Sequence, residues 1–341
     1  MSILLDWSHP FEGRDSRFTP LVVVAIGIAY AVRMPELPHI AVYVDALAGR
    51  VVGQPIERIR LVSPFLVRSV TPPIHQAEGK TVVAVSRLGK QIVFMLDDGL
   101  FLVLHLMIAG RLHWKPLGTK VPGKIGLAAI DFPNGTLSLT EASTKKRASI
   151  RLVRGLPALS GLDRGGIDVL ASTRDDFASA LRLENHTLKR ALTDPTLFDG
   201  IGNTYSDEIL HRARLSPLKL TRRLTDDEVT HLHAAAGNTL REWIERLRAE
   251  AGDRFPEKVT AFRPEMAVHG RFRKPCPVCA TPVQRLVYAE NEANYCPTCQ
   301  TGGRLLADRA LSRLLRADWP KTLEELDQHR EYLRSTSSTA P

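Results

Sequence analysis

Cys276, Cys279, Cys296 and Cys299 are the only cysteines in the 341 residues. Their spacing, two C-x2-C pairs separated by sixteen residues, suits two knuckles that present four thiolates to one tetrahedral Zn²⁺. Two redox or disulfide pairs are the competing reading, and adjacent knuckles at this spacing favour the metal. Four sulfur ligands close the coordination shell, so the expected ion is structural, one per chain, and not catalytic. Arg271, Arg273, Lys274 and Arg285 surround the cysteines and would set positive charge on a rigid hairpin, suited to a groove of DNA.

A second pattern with chemical content is Asp199-Gly200-Ile201-Gly202-Asn203-Thr204-Tyr205, two glycines and an asparagine ahead of a helix predicted to begin near Ser206-Asp207-Glu208. Glycines allow close backbone approach, and free N–H groups at a helix start attract phosphate. Lys189, Arg190 and Lys219 flank this element. A tight turn between packed helices is the alternative. A helix pair is ruled out as a metal site at His231 and His233, whose spacing of two puts them on different faces.

The formal net charge of +9 favours a polyanionic partner over an acidic protein surface. The first 275 residues carry no cysteine, which excludes a dispersed disulfide framework. The apolar run Leu21 to Val32 is too short to span a bilayer comfortably, and its flanks form a poor signal peptide. The expectation is a soluble, intracellular (cytoplasmic) monomer that does not engage membranes.

Stepping along the chain, Val42 to Leu47 reads as part of a short amphipathic helix. Many strands follow, including Ile92-Val93-Phe94-Met95-Leu96 and Leu100-Phe101-Leu102-Val103-Leu104, punctuated by Asp97-Asp98-Gly99, Gly118 and Pro133-Asn134-Gly135. This spacing predicts a β-sandwich or barrel. Gly161 to Gly166 is the expected linker. Helices follow from about Ile167 to Glu250, opened at Asp175-Asp176-Phe177 and capped at Thr225-Asp226-Asp227-Glu228. After a loop rich in Lys, Arg and Pro comes the cysteine module, then a helical tail from Arg304 to Leu333 and a Ser/Thr-rich end expected to be disordered.

Met34-Pro35-Glu36-Leu37-Pro38, Lys90 within Arg87-Leu88-Gly89-Lys90, His105-Leu106 through Gly110-Arg111-Leu112, the Gly200 to Tyr205 turn and the four cysteines occur in this order. Together they resemble the formamidopyrimidine-DNA glycosylase and endonuclease VIII family over about Met34 to Gly303. The resemblance implies an α+β multidomain chain: an extension over 1–33, a catalytic β-sandwich over 34–160, a helix-two-turns-helix DNA-binding domain over 167–255, a zinc finger over 262–303 and a tail over 304–341. It implies a DNA glycosylase with abasic-site lyase activity, acting on oxidised bases in damaged double-stranded DNA. Pro35, as an N-terminal secondary amine, would attack the sugar C1′ and form an iminium. Glu36 would move protons, and Lys90 and Asn203 would hold phosphates. Lys189, Arg271, Lys146 and Arg147 are further expected DNA contacts. Singly, Pro35 and Glu36 could just start a helix, and Asn203 could cap one.

The sequence departs from the family pattern in three places. Thirty-three residues precede Met34, and while they remain Pro35 is a tertiary amide without a nucleophilic lone pair. A start placed too far upstream, proteolytic removal, or a family member that binds distorted DNA without cutting it would each explain this; the natural Met34-Pro35 start favours the first. His39 stands where an acid is usual, and Asn291 where a basic residue is usual, leaving Arg285, Arg271 or Arg304 to compensate. Met107-Ile108-Ala109 replaces a Gly-Met stretch, and Thr144-Lys145-Lys146-Arg147-Ala148 contains no aromatic wedge, so Met107 or Ile108 would serve instead. Oxidised purines and oxidised pyrimidines both remain open as substrates. An RNA-binding role is a third, weaker reading, which the Pro-Glu start argues against.

Overall fold

Ile92–Leu96 and Leu100–Leu104 pair as adjacent antiparallel strands. They lack the alternation of half-exposed strands because both faces are covered. Ile92, Phe94, Leu102 and Leu104 enter the main core, while Val93, Phe101 and Val103 pack with Leu159 and Leu162 on the opposite side.

The computed structural model describes residues 34–257, 259–260, 263–288, 291–307 and 319–337. The extension 1–33 with its apolar run, and the last four residues, lie outside them. One antiparallel sheet has the order β2 (Val82–Leu88), β3 (Gln91–Leu96), β4 (Leu100–His105), β8 (Ser149–Arg154). The other runs β1 (Arg58–Leu61), β6 (Gly126–Phe132), β7 (Gly135–Glu141), β5 (Gly110–Lys115). Leu112, Ile130, Leu137 and Leu139 of the second sheet share a core with Phe94, Leu102 and Ile150 of the first, which makes the expected β-sandwich. Helix α1 (Leu37–Val51) adds Ile40, Tyr43, Leu47 and Val51, spaced three to four apart, to that core. A short helix α2 (Leu156–Ser160) follows the sandwich.

The helical unit consists of α3 (Arg174–Leu183), α4 (Leu188–Thr193), α5 (Asn203–Arg212) and α6 (Asp226–Ala251). Thr173 and Thr225 each accept the N–H of the residue three positions on, and the acid there bonds back, so both helices start in capping boxes. Val229, Leu232, Ala236, Leu240, Trp243 and Leu247 form the buried stripe of α6. His231 is exposed, whereas His233 lies against Phe177, as their spacing requires. Helix α5 begins at Asn203, three residues before the predicted Ser206. Its first turn is capped from a distant part of the chain, which no local pattern reveals.

Two knuckles flank a hairpin of β9 (Gln284–Tyr288) and β10 (Asn291–Tyr295), and α7 (Pro297–Thr301) carries the last cysteine. The tail is helical over α8 (Leu323–Ser337), not from Arg304; Arg304–Ala307 is irregular, and 308–318 lie outside the described residues.

A buried charged network ties this ribbon to α5. Lys189 Nζ donates to Asn203 O at 2.6 Å, Ser206 Oγ at 2.8 Å and Asp207 Oδ1 at 2.5 Å. The other Asp207 oxygen meets His269 Nδ1 at 2.7 Å and accepts Asn294 Nδ2 of β10 at 3.2 Å. Burial by itself raises the Asp207 pKa, but Lys189 and His269 together hold it below the ordinary carboxylate value. The stability gained from this depressed pKa is complete above about pH 4 and is lost as acid carries the pH through the lower, folded value. Asp207→Ala would strand a buried ammonium, and is expected to cost about 3–5 kcal/mol in urea unfolding. Pairing it with Lys189→Met should recover most of that loss.

Candidate active site and metal centre

Leu37 belongs to α1, yet its side chain lies in the core of the helical unit with Phe177, Phe198 and Tyr205. Its N–H donates to Gly200 O at 2.9 Å. Gly200 has φ +76, and a Cβ there would sit 2.6 Å from Leu37 Cβ. A Cβ on Gly202 would lie 2.6 Å from Glu36 Cδ. Both glycines are therefore required by the approach of the Met34–Pro38 segment.

Glu36 is 2% exposed. Its Oε2 accepts Gly202 N at 2.8 Å and Tyr205 N at 3.1 Å, and Oε1 accepts Thr204 N at 2.8 Å. The anion at the start of α5 is thus the protein's own carboxylate, where the sequence suggested a phosphate. The three donors and the positive end of the helix fix its orientation. The His39 backbone N–H completes a capping box on the same carboxylate. Pro35, the preceding residue, is buried beside it.

Lys90 sits on the β2–β3 turn. Burial brings its ammonium below the ordinary lysine value, while the nearby Glu36 and Asp199 carboxylates act in the opposite sense. The hairpin is latched to the helical unit: Arg87 donates to Asp199 at 2.7 Å and to Asp168 at 2.5 Å. Gly89, at φ +63, leaves room for Asp199 Oδ1, which a Cβ would meet at 2.7 Å. Close to Lys90 stands His105, taken down to about 4 by burial and then by Lys90, Arg151 and Arg164. The ring is neutral at pH 7, and its Nδ1 accepts the Met107 N–H at 3.2 Å. Met107 has φ +50. That is a conformation glycine adopts at no cost, so a half-buried Met107–Ile108 turn is held under backbone strain.

The remaining expected contacts divide. The Asn203 side-chain amide nitrogen is buried without a partner, beside the Glu36 cap. Lys146 and Arg147 are exposed on a loop whose backbone is fixed by Glu141, which accepts Arg147 N at 2.9 Å and Ala148 N at 3.0 Å. Lys189 departs from expectation, since it is directed inward to Asp207. Arg271 also bonds internally, to Pro264 O at 2.8 Å and Pro275 O at 3.1 Å. Of the other arginines near Asn291, Arg285 lies over the Phe272 ring at 4.5 Å and Arg304 is exposed. Arg87, Asp168, Asp199, His105, Arg151 and Arg164 were not singled out as site residues by sequence; Arg87 and Asp199 are 112 residues apart, and only folding joins them.

The four cysteine sulfurs lie within 4.8 Å of one another. The separations 3.9 Å (Cys276–Cys299), 3.3 Å (Cys279–Cys296) and 3.4 Å (Cys279–Cys299) exceed a disulfide bond. They approach the edge of about 3.8 Å that Zn–S bonds of about 2.3 Å give a tetrahedron. The donor set therefore fits a structural zinc. His211 Nε2, 3.3 Å from Cys276 Sγ, can donate to that thiolate from α5. Among the described residues no helix is long and apolar enough to cross a membrane.

Comparison with known proteins bears on this geometry. Family models match at residues 34–148 (formamidopyrimidine-DNA glycosylase N-terminal domain), 168–252 (its H2TH domain) and 273–302 (zinc finger found in FPG and IleRS). The formamidopyrimidine-DNA glycosylase of Thermus thermophilus is 32% identical over 277 residues, covering 79% of this chain and all of that one. That of Pelotomaculum thermopropionicum is 30% identical over 277 residues, covering 78% and 99%. Among solved structures, the complex between the Lactococcus lactis Fpg and an abasic site containing DNA is similar, with TM-score 0.70, 25% identity and coverage of 78% and 99%.

Two outcomes follow from the site itself. Gly202→Ala should push the Glu36 carboxylate off its donors and cost about 1–3 kcal/mol of stability, measured by chemical denaturation. Elemental analysis of purified protein should give one zinc per chain. Chelation should expose four reactive thiols, and Cys296→Ser should lower zinc occupancy without removing the sandwich signal in circular dichroism.

Proposed function

The chain belongs to the formamidopyrimidine-DNA glycosylase family, and on that premise we propose that it is a DNA-repair glycosylase and abasic-site lyase whose nucleophile is the Pro35 amine. The observation that carries the reading is the Glu36 carboxylate, immobilised by three backbone donors one residue from Pro35. The substrate is damaged double-stranded DNA, bound by a monomer inside the cell. DNA would lie between the catalytic unit 34–160 and the helical unit 167–255, with the ribbon 262–303 as a third contact.

In this reading the lesion nucleotide is turned out of the stack. The secondary amine of Pro35 attacks C1′, the damaged base departs, and an iminium links protein and sugar. Glu36, held in place by its backbone donors, exchanges protons with the opening sugar ring. Elimination of the flanking phosphates then breaks the strand. Lys90, together with Arg151 and Arg164 near the neutral His105, supplies a positive field for those phosphates. The unpartnered Asn203 amide supplies a neutral donor. Lys189 and Arg271 act indirectly here, by holding α5 and the ribbon in place. Met107 and Ile108 enter the vacated stack, and exposed Lys146 and Arg147 reach the opposite strand. Zinc, when bound to the four cysteines, stiffens the ribbon and takes no part in bond breaking.

The chemistry requires a free Pro35 amine, and therefore an acting form that starts at Pro35. A second reading has a specific basis: in the full 341-residue chain Pro35 is acylated, and such a form would bind distorted DNA without cutting it. Intact mass of the native protein identifies the form present. Borohydride reduction of the Pro35-start protein with abasic DNA should trap a covalent adduct on Pro35, and Glu36→Gln should slow its formation at least about a hundredfold. No adduct despite DNA binding, or an adduct on Lys90, would overturn the assignment.

A further inference from the structure

The β2–β3 turn that carries Lys90 is gripped by one carboxylate of the helical unit. Asp199 closes the loop before α5: its N–H donates to Ile167 O at 2.9 Å, and the carbonyl of the next residue, Gly200, receives Leu37 N at 2.9 Å. Asp199 Oδ2 accepts Arg87 Nη1 at 2.7 Å. Oδ1 faces Gly89, where a Cβ would stand 2.7 Å from it and 3.8 Å from Cγ. One oxygen is thus bonded three residues before Lys90, and the other lies against the residue next to it. The Arg87 and Asp199 side chains are 20% and 19% exposed, so solvent screens their field only in part.

Arg87 also bonds Asp168 at 2.5 Å, so one cation bridges two acids and the group keeps a surplus negative charge beside the turn. Burial raises the Asp199 carboxyl, Arg87 opposes this by charge and hydrogen bond, and Asp168 and Asp163 add to the rise. On Lys90, burial favours loss of the proton, while Glu36 and then Asp199 favour its retention. Beyond these, Arg151 and Arg164 stand around the neutral His105, itself within the field of Lys90. Of the two carboxylates that hold the Lys90 proton, Glu36 is the one that exchanges protons in the proposed reaction. Each time it takes one up, its support for Lys90 disappears. Asp199, tied to Arg87, carries a charge that the reaction leaves alone.

We propose, on the roles given above to Glu36 and Lys90, that Asp199 is a positioning residue that keeps the Lys90 ammonium charged and seated at the turn while Glu36 changes its protonation, so that strand cleavage extends to alkaline pH. Removing the Asp199 charge leaves burial less opposed, and Lys90 then gives up its proton at a lower pH. Loosening the Arg87 latch acts the opposite way, because it admits water, lifts the burial penalty and raises that pH. The direction of the change therefore separates a charge effect from a merely structural one.

Trace acylation of Lys90 as a function of pH, read by peptide mass spectrometry, follows the free amine directly and needs no turnover. In Asp199→Asn, which keeps an acceptor for Arg87, the midpoint is expected to fall by about one pH unit. Asp199→Ser, smaller at the Gly89 contact, should move it the same way. A midpoint that rises or stays in place in either variant would overturn the proposal. In the Pro35-start protein, single-turnover cleavage of preformed abasic DNA should lose its alkaline limb about one pH unit earlier in Asp199→Asn than in the unsubstituted enzyme. Arginine keeps its proton throughout this range, so in a Lys90→Arg background Asp199→Asn should leave the limb where it is. An equal shift in that background would put the effect on another group and overturn the proposal as well. Should labelling shift as expected while no adduct forms on Pro35, the proposed function falls and the coupling of Asp199 to Lys90 stands.

Discussion

The Glu36 carboxylate at the start of α5 is the contact on which the rest of the site depends. Three N–H groups that a helix leaves without partners are satisfied by one side chain from a different unit of the protein. This single arrangement caps α5, sets the spacing of Gly200 and Gly202, and places Leu37 in the helical core. It also immobilises the residue adjacent to Pro35. In the proposed mechanism this side chain moves a proton, a task suited to fixed backbone dipoles, which need no rearrangement as the reaction proceeds.

Three separate attachments converge on that point. The β2–β3 hairpin is drawn in by Arg87 bridging Asp168 and Asp199, which delivers Lys90. The β4–β5 turn is held by the His105 ring through Met107 N–H. After α6, the carbonyls of Val259 and Thr260 are held by Arg111 and His39. The first is a side-chain ion pair and the other two are side chains bonded to backbone groups, so the loops around the site are positioned by polar contacts and not by their own secondary structure. Loops held this way can present irregular surfaces to a nucleic acid without giving up a fixed origin.

The ribbon is attached by polar contacts in a similar way. Asp207, His269, Lys189 and Asn294 form a buried network whose members would each be costly alone. Joined, they set the angle of the zinc ribbon against α5, and His211 adds a contact to Cys276 itself. Residues that sequence reasoning places on DNA, Lys189 above all, are here internal fasteners between α5 and the ribbon. A lysine beside a glycine turn carries no local mark to tell these two uses apart.

What the sequence determined by itself was whatever depends on local spacing. The cysteine pairs defined the metal site, the apolar runs defined the sandwich strands, and Thr173 and Thr225 with acids three residues on defined two helix starts. Pro35, Glu36 and Lys90 were grouped because several motifs agree in order, and the fold brings Lys90 within the field of the Glu36 carboxylate. Other features were decided only by the fold: the α5 start at Asn203, the inward turn of Lys189, the Arg87–Asp199 latch and the two hydrogen bonds of His39, from Glu36 N and to Thr260 O. Each of these pairs a group with a partner at least fourteen residues away, apart from the three-residue step from His39 to Glu36. Local periodicity reports which face of an element is apolar. It carries no record of which distant backbone donor or carbonyl will be left without a partner when the elements meet, and it is those orphaned groups that the site residues were folded to satisfy.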